Sequence, residues 1–244
     1  MSLSDSLKAM NTHAVEDLIN HRLFYDLKLA AIARGYFLLT HYSDVDHDGF
    51  DVILDDHDFL RKVQVKSVCN VSATTSWEIH RGLLRPYPIN FESLGFSFDS
   101  NSPQWGMEGG VVLAEYEPNQ DKLNVKYFFS DIYVVTAIAL DLLPERHGAT
   151  KKAATKLRDD LMNGRSLEKV AMAKGLFVEA ATPQHLLGLI GMHGHFHTGW
   201  VAGVRDLASE EWGIKGRIHS SALKAHRDGG VLASLRKASG QECP

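Results

Sequence analysis

The stretch Gly49-Phe-Asp-Val-Ile-Leu-Asp-Asp-His-Asp-Phe-Leu-Arg-Lys-Val-Gln-Val-Lys-Ser-Val68 decides how this chain is read. Phe50, Val52 and Leu54 form one apolar set with Asp51 between them, the alternation of a short strand. Asp55, Asp56, His57 and Asp58 have weak strand propensity and fit a turn. Alternation then resumes, with Val63 and Val65 pointing one way and Gln64 and Lys66 the other. A carboxylate, an amide and an ammonium are thereby expected to meet at one edge of a sheet. Such an oxygen-rich site suits a hard divalent cation and a phosphate.

Working outward, residues 12–34 carry Val15, Leu18, Ile19, Leu23, Leu27, Ala30 and Ala31 at helical spacing, and Gly35 suits the helix end. Tyr36–Thr40 reads as a first strand, and a loop with Asp44, Asp46 and Asp48 follows. Trp77–His80 alternates as another short strand. The proline-bearing segment 83–107 reads as a long excursion. Residues 110–116 and 123–129 flank Glu117-Pro-Asn-Gln-Asp121 and predict a hairpin. Ser130 or Asp131 then caps a helix through 134–143. Beyond Pro144 the pattern is mainly helical, at 153–162, 167–174, from Thr182-Pro183 onward, and at 220–226 with a continuation after Gly229-Gly230. The fold class expected is α/β, with a core over 1–144 and a mostly helical accessory region over 145–244.

At 244 residues with 44% hydrophobic and 23% charged content, the chain can bury a core of its own. No run of 18 apolar residues appears, so no membrane partner is expected. Its first residues show no basic-then-apolar leader. Cys69 and Cys243 are too few and too far apart for a disulfide framework, which points to the reducing cytoplasm. Residues 1–144 hold 11 Lys/Arg against 20 Asp/Glu, and residues 145–244 hold 15 against 10. These balances of −9 and +5 recover the net charge of −4. An acidic half suits cations and a basic half suits phosphates, although basic residues facing water on helices would leave the same asymmetry.

The leading helix ending in Gly35-Tyr36, the strand bearing Asp51, the turn, and the strand bearing Gln64-Val65-Lys66 together resemble the core of the PD-(D/E)XK nuclease superfamily. The resemblance covers residues 12–82, and the 110–143 hairpin and helix are compatible with it. Asp51 matches the motif aspartate, Gln64 the acidic position, and Lys66 the lysine. Phe50 stands where the motif has proline. Gln64 resembles the glutamine variant of resolvase-like and homing-type members, and it removes one negative charge from the site. The resemblance implies a restriction-endonuclease-like mixed sheet flanked by helices, Mg²⁺ or Mn²⁺ held by Asp51 and Gln64, and hydrolysis of DNA phosphodiester bonds. It implies that Lys66 acts on the attacking water. It also implies an acid on the leading helix, for which Asp26 is preferred to Glu16. DNA is the implied partner, and a second copy of the chain is a further candidate.

Other readings accompany this one. Asp51 as an ordinary strand-end residue and Lys66 as a solvated edge lysine are the plain alternatives. Asp46 or Asp48 would serve as a ligand in place of Asp51, and Glu78 and His80 are candidates for the cleft wall. His193, His195 and His197 alternate and would share a strand face able to hold Zn²⁺. Residues 166–175 followed by the Thr182 helix loosely resemble a helix-turn-helix with too long a spacer. Two rival functions follow, an inactive nuclease-fold module that binds nucleic acid and a histidine-site metalloprotein.

Overall fold

The structure is a computed structural model that describes residues 12–42, 49–85, 109–119, 122–143, 148–163, 168–192, 199–211 and 229–241. Helix α1 (Thr12–Ile32) buries Val15, Ile19, Leu23, Leu27, Ala30 and Ala31 on one face. Its last carbonyls are satisfied by Gly35 N–H to Ile32 O and Tyr36 N–H to Ala31 O. That closure needs the left-handed backbone Gly35 adopts at φ 84°. Tyr36 is thus spent in the cap, and β1 begins later than its sequence suggests, at Leu39–Tyr42.

Strands β1, β2 (Val52–Asp55) and β3 (Leu60–Cys69) form an antiparallel meander. The β2–β3 turn is built by its aspartates. Asp56 Oδ1 accepts from the N–H groups of Asp58 at 3.1 Å and Phe59 at 2.8 Å, and Asp55 Oδ1 accepts from His57 N–H at 2.8 Å. The hydrogen bond from His57, helped by His41, holds the Asp55 carboxyl below its usual range.

The chain leaves the sheet through β4 (Ser76–His80) and a 3₁₀ turn over 81–83, then returns as β5 (Gly109–Asn119), parallel to β3. A parallel neighbour demands such a crossover. The expected hairpin joins β5 to β6 (Lys122–Asp131). Asp131 caps helix α2 (Ile132–Ala139) by accepting from Tyr133 and Val134 N–H, both at 2.9 Å. The helix stops short of the expected residue 143 because Asp141 turns left-handed at φ 61°.

Past Pro144 come α3 (Gly148–Asn163), β7 (Lys169–Ala173), β8 (Val178–Ala180), α4 (Pro183–Ile190), α5 (Gly199–Glu211) and α6 (Val231–Ser239). Thr182 caps α4 as its sequence implied. The 167–174 reading needs correction, because this run is strand β7. Val170 and Met172 are buried while Lys169 and Ala171 are exposed, a period of two. A helix-turn-helix over 166–175 is excluded with it. The 220–226 helix lies outside the described residues.

The six-stranded sheet has the order β1-β2-β3-β5-β6-β8, and β4 pairs with β7 in a second sheet. This mixed α/β architecture with C-terminal helices is the class expected. The region after 145 adds β8 to one sheet and β7 to the other, and one buried cluster spans both parts of the chain. Helices α1 and α4 lie together on one face of the main sheet. The other face meets the 3₁₀ turn at 174–176 through a Ser130 hydroxyl bond to Leu176 O and a Lys174–Glu115 ion pair.

Candidate active site

Gly49 delivers the chain to the site. It adopts φ 69°, and a Cβ there would lie 2.0 Å from His80 Cβ, so only glycine fits. Phe50 follows, buried, with Lys62 Nζ 4.5 Å from its ring centroid. Asp51 then clips to β3 twice. Its N–H donates to Val63 O at 2.9 Å, and its Oδ2 accepts from Val65 N–H at 2.6 Å. The carboxylate extends the hydrogen-bond ladder just before β2 begins. Main-chain contacts therefore bring Asp51 alongside the segment that bears Gln64 and Lys66.

Side-chain direction separates them. Tyr127 Oη donates to Asp26 of α1 at 2.7 Å, so Tyr127 faces α1. Registers Tyr127↔Ala114 and Ser67↔Ala114 place Val63, Val65 and Ser67 on that same face. Gln64 and Lys66 alternate onto the face away from α1. Gln64 is 8% exposed and its Oε1 has no hydrogen-bond partner. Lys66 is half-buried beside Leu113.

Asp51 also lines an open cleft of about 420 Å³ on the α1 side, with Asp17, Asn20, His21, Phe24, Tyr42 and Phe50. Phe24 and Tyr42 meet edge to face at 5.6 Å. Asp17 holds His21, whose Nδ1 lies 3.3 Å from Asp17 Oδ1. The helix acid in this cleft is therefore Asp17, which the sequence reading passed over. The signal was present, since 17, 20, 21 and 24 share a helix flank at three and four residue spacing.

Neither Asp26, the preferred helix acid, nor Glu16, its alternative, lines the cleft. Asp26 receives Arg22 Nε at 2.9–3.0 Å on both oxygens, in addition to Tyr127. The bond to Asp26 raises the Arg22 pKa. Burial, then Asp26, pushes the Tyr127 phenol well above its usual range. Glu16 lies 3.7 Å from His13. Asp26 is thus a structural carboxylate tying α1 to β6. Asp26→Ala should cost about 2–3 kcal/mol by leaving a buried phenol and a guanidinium without their acceptor, and Tyr127→Phe about 1 kcal/mol. Urea titration of both variants checks the order, and equal midpoints would remove the structural role.

His80 is buried, accepts from Gly82 N–H at 3.3 Å through Nδ1 and packs on Gly49. Its place is structural. Glu78 is an exposed residue of the β4–β7 sheet, outside the cleft. Asp44, Asp46, Asp48, His193, His195 and His197 lie outside the described residues. Among the described residues no three His, Cys, Asp or Glu side chains stand close enough to hold a metal between them. A closed transition-metal cage is not built there, whereas a hard cation needs less from protein, because Mg²⁺ keeps waters and substrate oxygens among its ligands. Asp51 offers such an oxygen to the cleft, whereas the Gln64 amide oxygen lies on the other face of the sheet. No described helix is long and apolar enough to cross a membrane. No protein-family model, curated protein or solved structure matches this chain.

Proposed function

We propose that this protein is a metal-dependent endonuclease of the PD-(D/E)XK type that hydrolyses DNA phosphodiester bonds at the start of β2. The observation that carries the reading is the Asp51 carboxylate, held at the mouth of an open cleft where β2 begins. A carboxylate is fixed in place by the Val65 N–H, and next to Val65 lies a buried amide oxygen with nothing to accept. A buried acceptor without a donor costs about 1–3 kcal/mol, and a ligand reaching Gln64 from the face away from α1 would offset that cost. The helix, the three-stranded meander and the parallel β5 support the same reading, as they set Asp51 and Lys66 on neighbouring strands.

Asp51 would hold Mg²⁺ or Mn²⁺ with water and phosphate oxygens as its other ligands, and the bound ion would supply charge neutralisation and polarisation at the scissile phosphate. Lys66 orients the attacking water and offsets charge that develops on the phosphate oxygens. The Val65 N–H keeps the Asp51 carboxylate aimed, which spares the site that reorganisation. Basic residues after 145 bind the phosphate backbone, and the cytoplasm is the compartment we assign. A second reading, an inactive nuclease-fold module that binds nucleic acid, draws on the placement of Gln64 and Lys66 on the face away from the Asp51 cleft.

Cleavage of plasmid and branched DNA by the full chain, with Mg²⁺, Mn²⁺ or a chelator across a salt series, separates the two. Nicking and linearisation with either ion and none with chelator is the expected result. Affinity should fall steeply as salt rises, as counterion release requires. Salt-sensitive binding with no cleavage under any ion would leave only the binding module.

A further inference from the structure

Helix α1 is apolar on two opposite faces. One packs on the sheet through Ile19, Leu23, Leu27 and Ala31. The other carries Leu18, Tyr25, Leu29 and Ile32, at spacings of seven, four and three that form a single stripe. All four are exposed, from 40% at Leu18 to 63% at Tyr25. The outer face of a surface helix is normally polar, and an exposed apolar stripe between charged flanks marks a contact surface. Asp17, with His21 Nδ1 3.3 Å from its carboxylate, and Lys28 lie on one flank of the stripe, roughly three turns apart, and both are exposed. On the other flank Arg22 is already neutralised by Asp26.

We infer that a second copy of this chain covers the stripe, with α1 packed antiparallel on α1 about a two-fold axis. In such a pair each flank meets the same flank of the other copy. Asp17 of one copy then meets Lys28 of the other at both ends of the contact. Parallel pairing would set this flank against the Arg22–Asp26 flank instead, so only the antiparallel arrangement brings Asp17 to Lys28. With Asp17 level with the opposing Lys28, Leu18 falls between Tyr25 and Leu29 of the other helix, and the two stripes interdigitate. The inference stands on the surface of α1 and its test reads association alone, although Asp17 also lines the Asp51 cleft.

Sedimentation velocity of the full chain over the micromolar range tests it. A reversible dimer is expected. Leu29→Glu should raise the dissociation constant about 100-fold or more, since each dimer loses two apolar contacts and gains two buried charges. Asp17→Lys alone should raise it about tenfold, and Asp17→Lys combined with Lys28→Asp should restore it. Circular dichroism of each variant should match the native chain, because these side chains face outward. A monomer throughout that range, a dimer indifferent to Leu29→Glu, or a charge swap no better than the single substitution would each overturn the inference. So would occupancy of the stripe by an unrelated protein in place of the second copy.

Discussion

Asp51→Asn is expected to abolish DNA cleavage, by about 10³-fold or more, while leaving the fold at native stability. The asparagine oxygen still accepts from Val65 N–H, so the clip between β2 and β3 survives. Only the negative charge is lost, and with it the anchor for a divalent cation. Asp51→Ala removes both, so it should lower the melting temperature as well. Lys66→Ala should lose cleavage to a similar extent with DNA affinity nearly unchanged, because one ammonium is a small part of the phosphate contacts. Gln64→Glu is the informative partner. If the amide oxygen is a ligand, the acid keeps or strengthens metal binding and alters the preference between Mg²⁺ and Mn²⁺. If Gln64 is only buried packing, a carboxylate at an 8% exposed position destabilises the protein and binds nothing. Isothermal titration with each ion beside the cleavage assay separates these results. Cleavage that survives both Asp51→Asn and Lys66→Ala would place the chemistry elsewhere.

Gly49→Ala should be the most damaging single methyl group in the described chain, at about 4 kcal/mol or more. Two costs add. The left-handed backbone at φ 69° disfavours any L side chain by about 1–2 kcal/mol. The new Cβ also meets His80 Cβ at 2.0 Å and His80 Cγ at 2.2 Å, atoms close to the backbone of a buried strand end. His80 cannot swing aside, because its Nδ1 accepts from Gly82 N–H and its ring is buried. The strain falls two residues before Asp51, so any cleavage activity should fall with stability. Gly35→Ala makes a fair comparison, since it is also left-handed but has nothing within 4 Å of its Cβ position. It should lose only the conformational part, and chemical denaturation of the two variants side by side measures the difference. Equal losses would show that contact with His80 is unimportant.

Much of the architecture was legible because local chemistry left little choice. Alternation at 50–54 and 60–66, the aspartates of the intervening turn, the Asp131 and Thr182 caps and the Gly35 helix end each act within a few residues. Their physics is complete in the sequence, and the structure keeps every one of them. The run 167–174 was misread for the complementary reason. Eight residues with small apolar groups satisfy both a helical and a two-residue period, and only the pairing with β4 selects the strand.

The candidate site divides along the same line. Sequence alone determined that Asp51 lies at a strand entry and that Gln64 and Lys66 share a face, since both follow from a period of two. Which face that is was decided by tertiary structure. It depends on Tyr127 reaching Asp26 and on the parallel register of β3 with β5, contacts between segments more than forty residues apart. The same long-range packing made Asp26 a structural carboxylate and put Asp17 in the cleft. A helix displays its acids at every angle, and only the surface it lands on determines which of them faces a site and which is buried against a tyrosine.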